Sequence, residues 1–332
     1  MILSVLAGAL ARVAMPLAVQ AMPVPPAPSE IVAAAPSAEW VAIAPEDLLV
    51  MELAPTTTGA RRRVLIQLIP APFSQSWLAN VRTLARARWW DGLSVNRVQD
   101  NYVAQWGDAD AEDKAKARAL PAGLTRVPER EYAASEPVGF SRPGLPLTYQ
   151  GRAGASSPTV FDGQLVFRDI EPWNYAAFKN GWAFAGSMNP HQSQVWPIHC
   201  YAMVGVGRGL SPDTGSGAEL YAVIGHAPRH LDRNIALVGR VVDGIEHLSS
   251  LPRGTEALGF YKTPAERTAI RSVRLASDLP AASRPRLQYL STESASFAAY
   301  ANARANRRDP FFIRPAGGTD ICNVPVPIRR AP

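Results

Sequence analysis

Between Trp89 and Asp108 the chain reads WWDGLSVNRVQDNYVAQWGD. Arg97 stands there inside an alternating apolar run bounded by two glycine turns, with Gln105 close behind it and no nucleophile or general base beside it. A guanidinium in such a setting suits chemistry done by electrostatics and shape, because it offers a planar fork of donors and cannot serve as a base near neutral pH. The plainer alternative is an arginine on a solvated strand face, its stem laid over apolar neighbours. Other reactive residue types form weaker patterns. His191, His199, His226 and His230 lie near Asp232 or in proline-rich loop without compact zinc-ligand spacing, so capping or core roles are expected of them. Gly205-Val206-Gly207-Arg208-Gly209 lacks the Gly-Lys-Ser/Thr that a phosphate cradle needs, and Ser74, Ser187 and Ser216 have no nucleophile-elbow context. Neither a metal nor a cofactor is expected.

The elements that must position Arg97 follow from periodicity. A two-residue period puts Leu93, Val95, Arg97 and Gln99 on one side of a strand and Ser94, Asn96 and Val98 on the other. After a turn at Asp100-Asn101, Tyr102 to Trp106 reads as the return strand, ending at Gly107-Asp108, so Arg97 can share a face with Gln105. Upstream, Asp47 to Leu53 forms a short strand and Arg63 to Leu68 a stronger one, with Val64, Ile66 and Leu68 on one side. Ser74 caps a helix in which Trp77, Val81, Leu84 and Arg88 recur over about four turns. Downstream, strands are expected within 198–206, 219–224, 235–242 and 270–275, with a short helix carrying Ile245, Leu248 and Leu251. Between them, 109–197 breaks the rhythm. It opens on the charged, helix-like DAEDKAKARA and continues as a Gly/Pro-rich insertion carrying Phe140, Tyr149, Phe161, Phe167 and Trp173, aromatics that either glue it down or shape a surface. The result is a mainly β body, spanning 47–278, with two helices at the ends of a barrel. An extension, 279–332, carries a helix from Thr292 to Arg307, stopped by Asp309-Pro310.

With 332 residues, 47% of them apolar, the chain can bury a substantial core. Its net charge of +6 comes from scattered arginines without a basic helix or an aromatic-interleaved ladder, so nucleic acid is not an expected partner. Residues 1–21 read as a secretory leader with a small-x-small site at Ala21, and the Pro/Ala/Ser-rich 22–46 reads as a linker. An exported, periplasmic monomer without stable membrane insertion is therefore expected. In an oxidising compartment Cys200 and Cys322 could join the C-terminal tail to the core, although spacing alone does not establish the pair.

Trp90, Gly92, Arg97, Val98, Gln105, Gly107 and Asp108 together resemble the hallmark of the cyclophilin-type peptidyl-prolyl cis-trans isomerases. The helix carrying Asn80 and Leu84 resembles the one that follows that family's first strand, and Leu231-Asp232 with Val238 to Gly244 resembles its closing strand and turn. The similarity covers roughly 63–108 and 198–275. It implies a closed eight-stranded antiparallel barrel, capped by two helices, with a proline-binding groove on the outside. It further implies that Arg97 faces the target amide and Gln105 orients substrate and arginine. The resemblance places Tyr102, Val103, Glu219, Leu220, Tyr221, His230 and Leu231 around the prolyl ring. Here Tyr102 replaces Phe and Val103 replaces Met; Glu219, Leu220 and Tyr221 replace Gln, Phe and Phe; His230 replaces Trp and Ile235 replaces His. A pocket that persists with altered activity, and poor binding of the family's cyclic inhibitor, is the consequence. The implied partners are proline-containing polypeptides, which the enzyme would help to fold. A cyclophilin-like binding module with weak or vestigial activity is the alternative.

Overall fold

The structure, a computed structural model, describes residues 24–135, 159–161, 164–168, 174–187 and 194–331. The expected leader over 1–21 lies outside them, as do the side chains of Phe140, Tyr149, Phe161, Phe167 and Trp173.

Eight strands close a barrel: β1 (Leu48–Leu53), β2 (Arg62–Leu68), β3 (Ser94–Val98), β4 (Val103–Gly107), β5 (Met203–Val206), β6 (Leu220–Val223), β7 (Leu237–Asp243) and β8 (Thr268–Leu275). They are hydrogen-bonded in the order β5-β6-β4-β3-β8-β1-β2-β7, every pair antiparallel, with β7 returning to β5. Inward side chains such as Leu49, Met51, Val64, Ile66, Val95, Trp106 and Leu220 fill the interior. A barrel of this strand number is just wide enough to be filled by its own side chains, so function must sit outside it.

Helices cover the barrel's ends. Helix α2 (Gln75–Arg86) buries Trp77, Leu78, Val81, Leu84 and Ala85, an i, i+1, i+4, i+7, i+8 stripe that packs into the barrel core. Ser74 does not cap it through its side chain, contrary to the expectation: the residue is held in the left-handed region at φ 54°, which turns its hydroxyl from the N-terminal amides. The short α3 (Glu246–Ser249) seals another edge through Leu248. Asn80 and two indoles then tie distant loops to this end. Trp77 Nε1 donates to Thr214 O and Gly215 O, Trp90 Nε1 to Ala218 O, and Asn80 Nδ2 to Thr125 O and Ser216 O.

The insertion forms a second sheet. Strands Ala134–Ser135, Gln194–Pro197, Trp182–Ser187, Asn174–Lys179, Gln164–Arg168 and Thr159–Phe161 are bonded antiparallel in that order. Alternation along Asn174–Lys179 buries both faces, with Tyr175 and Ala177 joining the barrel core while Ala176 and Phe178 pack with the extension. Arg240 on β7 fastens the sheet to the barrel: Nη1 donates to Gly181 O at 2.7 Å and the guanidinium lies 4.4 Å from the Trp182 ring. The charged stretch 109–118 is turns, not the expected helix. Asp108 accepts from the Asp110 and Arg118 amides and Asp113 from the Ala115 amide, local bonds that compete with helical ones.

Residues 22–46, expected to be a linker, carry helix α1 (Pro28–Ala34) and a strand at Trp40–Ala42. That strand pairs with Leu287–Leu290, which pairs with Ile328–Arg330, so both ends of the described chain share one small sheet. Helix α4 (Ala295–Ala305), N-capped by Ser294, packs there through Phe297 and Tyr300 against Trp40, Phe178 and Trp196. A Pro/Ala-rich composition hid this segment because its few large apolar residues find partners only across the chain. The same cover explains the unbroken apolar run of β1: Leu48 and Val50 face outward into a cluster with Leu65, Ala276 and Leu287. Cys200 and Cys322 form a disulfide that ties this extension to the loop before β5.

Candidate active site

Arg97 reaches the outer face of the barrel because β3 is irregular. Val95 pairs with Trp106 and Arg97 with Gln105, so two residues of β3 oppose one step of β4, and Asn96 is the extra residue of a β-bulge. Val95 and Val98 point inward while Arg97 points out. The expected two-residue period, which put Arg97 beside Val95, is therefore corrected: the bulge inverts the phase after Asn96.

Gln105 lies directly across from Arg97 on β4, and Tyr221 directly across from Gln105 on β6. Three acceptors orient the guanidinium. Nε donates to Leu258 O at 2.7 Å, Nη1 to Gln105 Oε1 at 3.0 Å, and Nη2 to Gln99 Oε1. An arginine carries five N–H donors, so two remain for a ligand. Tyr102 and Phe260 flank the cation, with ring centroids 5.8 and 5.3 Å from Cζ. Partial burial lowers the Arg97 pKa from its usual value, and the Tyr102 and Tyr221 phenols oppose that shift. A weakly hydrated cation against aromatic faces, only partly enclosed, remains charged and is a strong donor.

Beside Arg97 runs a groove of about 710 Å³. Val103, Tyr221, Leu231 and Ile235 supply apolar wall next to Tyr102, and the loop from Gly207 to Ala218 supplies the opposite wall. That loop stands where it does because Trp77, Asn80 and Trp90 hold its backbone carbonyls. The far end of the groove is lined by Trp89, Ala117, Arg118 and Leu120, from the turns that open the insertion.

Glu219 adjoins this groove with an enclosed carboxyl. Gln105 Nε2 donates to its Oε2 at 3.3 Å, so Gln105 bridges Glu219 to Arg97. The carboxyl lies over Gly107, where a Cβ would meet Glu219 Oε1 at 2.0 Å. Burial pushes its pKa up from 4.5 to about 7, against the opposing pull of the Gln105 amide.

The structure thus brings Arg97, Gln105, Tyr102, Val103, Glu219, Tyr221 and Leu231 to one groove. Two residues expected to line it do not. Leu220 faces the barrel interior opposite Trp106, because alternation along β6 sends its neighbours Glu219 and Tyr221 outward. His230 is exposed behind Tyr102, stacked on that ring at 6.4 Å, so it supports the wall without lining it. Phe260 and the Leu258 carbonyl were not expected at all. They come from the tight loop that runs from Gly254 through Gly259 to Phe260, whose sequence signal is the glycine pair.

Known proteins resemble this chain in family and in fold. A model of the family described as cyclophilin type peptidyl-prolyl cis-trans isomerase/CLD matches residues 75–275, more than half of the chain. Among solved structures, the cyclophilin AquaCyp293 from Hirschia baltica is similar, with a TM-score of 0.61 at 20% identity over 87% of this chain and 92% of that one. A cyclophilin type isomerase of Cryptosporidium parvum, solved in the presence of the dipeptide Ala-Pro, gives a TM-score of 0.37 at 8% identity, covering 69% of this chain and 98% of its own. No curated protein matches the sequence.

Proposed function

The chain belongs to the cyclophilin-type peptidyl-prolyl cis-trans isomerase family, and on that premise we propose that it catalyses rotation about Xaa-Pro bonds of exported polypeptides, assisting their folding. The observation that carries this reading is the Arg97 guanidinium, fixed by Leu258 O, Gln99 and Gln105 at the edge of an apolar groove with two N–H groups to spare.

Rotation about a prolyl amide is slow because conjugation gives the C–N bond double-bond character, with a barrier of about 18–20 kcal/mol. In the twisted transition state that conjugation is lost and the nitrogen lone pair becomes a hydrogen-bond acceptor. A donor waiting at that nitrogen stabilises the twisted form more than either planar isomer, which is what lowers a barrier. Arg97 is the donor. Tyr102, Val103, Tyr221 and Leu231 hold the prolyl ring, while Gln105 keeps the guanidinium in register. No bond is made or broken, so neither nucleophile nor base is required.

Two features support export: the apolar run before Pro23, which reads as a leader, and the Cys200–Cys322 disulfide, a pairing characteristic of oxidising compartments. Among the described residues no helix is long and apolar enough to cross a membrane.

A protease-coupled assay on an Xaa-Pro peptide tests the mechanism. Arg97→Ala is expected to lower kcat/KM by about 100-fold or more, the scale on which one preorganised donor acts; equal rates for the two proteins would remove the mechanism. A second reading, a binding module with vestigial turnover, is favoured by Glu219, whose carboxyl engages the Gln105 amide that would otherwise face substrate. Saturable peptide binding without acceleration of cis-trans exchange in magnetisation-transfer spectra would select it.

A further inference from the structure

Behind the groove lies a buried polar chain that the rotation mechanism does not use. We propose that His199, oriented by Asp232, is a positioning residue for the proline pocket: it fixes the Tyr221 ring through its phenol and so sets how tightly a prolyl ring is received. The proposal rests on the isomerase reading of the groove.

Tyr221 lines the groove, yet its hydroxyl points away from it, to His199 Nε2 at 2.9 Å. His199 is fully buried, and its Nδ1 lies 2.9 Å from Asp232 Oδ1, which also accepts the His199 backbone N–H at 2.9 Å. Arg229 Nε donates to Asp232 Oδ2 at 2.6 Å, so the buried carboxylate has a cationic partner.

Direction follows from donor inventory. An ionised Asp232 only accepts, so Nδ1 carries the imidazole proton and Nε2 is left as an acceptor for the Tyr221 O–H. Burial lowers the His199 pKa, opposed by Asp232, which keeps the ring neutral; burial likewise raises the Tyr221 phenol well above its ordinary value, which keeps it a donor.

A third position makes room for the same side chain. Gly205 on β5 pairs with Tyr221, and a Cβ there would meet the phenol oxygen and Cζ at 2.3 Å. The ring crosses β5 where no side chain stands in its way. A phenylalanine ring would need the same gap, since Cζ itself lies 2.3 Å from that position, but it would need no acceptor beyond it. Gly205 therefore gives the ring its room, while His199 and Asp232 serve its hydroxyl.

The test uses full-length protein and an Xaa-Pro tetrapeptide, comparing wild type, His199→Leu, Tyr221→Phe and the double variant. In His199→Leu the phenol loses its acceptor and the ring shifts, so KM is expected to rise roughly tenfold with kcat within about twofold, the scale of one unsatisfied buried hydroxyl. Adding Tyr221→Phe removes the hydroxyl and is expected to restore KM to within about threefold of wild type. A purely structural His199 would lower the melting temperature without moving KM per folded molecule, and the second substitution would not rescue it; either result overturns the proposal. Should His199→Leu fail to fold, ¹⁵N spectra of the wild type decide: the His199 Nε2 resonance is expected to shift when the tetrapeptide saturates the groove, and an unmoved resonance overturns the proposal. If wild type binds the peptide without turnover, the isomerase reading fails on its own, and peptide Kd across the same variants still tests the positioning role.

Discussion

Replacing Glu219 by glutamine tests how the site holds a charge. In the folded protein burial lifts this carboxyl from 4.5 to about 7. Between those values the folded chain binds a proton that the unfolded chain has released, so stability falls as pH rises through the window. Above about pH 7 the folded state must keep an ionised carboxylate under Gly107 and beside Gln105, and the full cost is present. A shift of this size corresponds to about 3 kcal/mol. Glutamine carries no charge at any pH and can still accept from Gln105 Nε2. Glu219→Gln is therefore expected to match wild type near pH 4.5 and to exceed it by about 3 kcal/mol near pH 8. Urea unfolding at a series of pH values, read at constant m-value, measures the difference. A difference that stays flat from pH 5 to 8 would mean that the carboxyl titrates in water and that its enclosure is wrong; a ¹³C titration of the Glu219 carboxyl carbon would show the same thing directly.

Other perturbations probe separate links. Phe260→Ala removes one of the two rings flanking Arg97 and is expected to lower kcat/KM roughly threefold to tenfold, on the scale of a partly desolvated cation–π contact, with Phe260→Tyr retaining the rate; steady-state kinetics checks both. Cys322→Ser opens a disulfide that spans 122 residues and is expected to cost about 3 kcal/mol of stability, a difference from wild type that should vanish when both are unfolded under reducing conditions. Leu84→Ala on the buried face of α2, which has no exposed surface, is expected to destabilise by about 2–5 kcal/mol; urea unfolding at neutral pH reads it.

Much of this protein was legible along the chain. The β3–turn–β4 hairpin, with Arg97 and Gln105 on one face, is a local object, and its alternation, turn residues and bounding glycines lie within 92–108. The stripe of α2 and the apolar runs of β2, β6, β7 and β8 were equally plain as elements, although β6, buried throughout, has no period to show that Leu220 faces inward. Helix α4 followed from its apolar spacing and the Asp309-Pro310 stop, while its Ser294 cap came only with the structure.

Tertiary structure decided what depended on partners far away in sequence. A single extra residue at Asn96 inverts which side chains face the core, and a bulge has no period by which to announce itself. The Gln67 and Gly181 oxygens that hold Arg240, the Leu258 carbonyl that holds Arg97 and the His199 that holds Tyr221 all come from other segments. The presumed linker became helix and strand only because Leu287–Leu290 and α4 offered it a sheet edge and an apolar cover. Residue types and short spacing determined that a guanidinium and an amide would meet on one strand pair. Which face they meet on, what orients them and what walls the groove beside them were settled by closure of the barrel, because only closure brings those acceptors and rings within bonding distance.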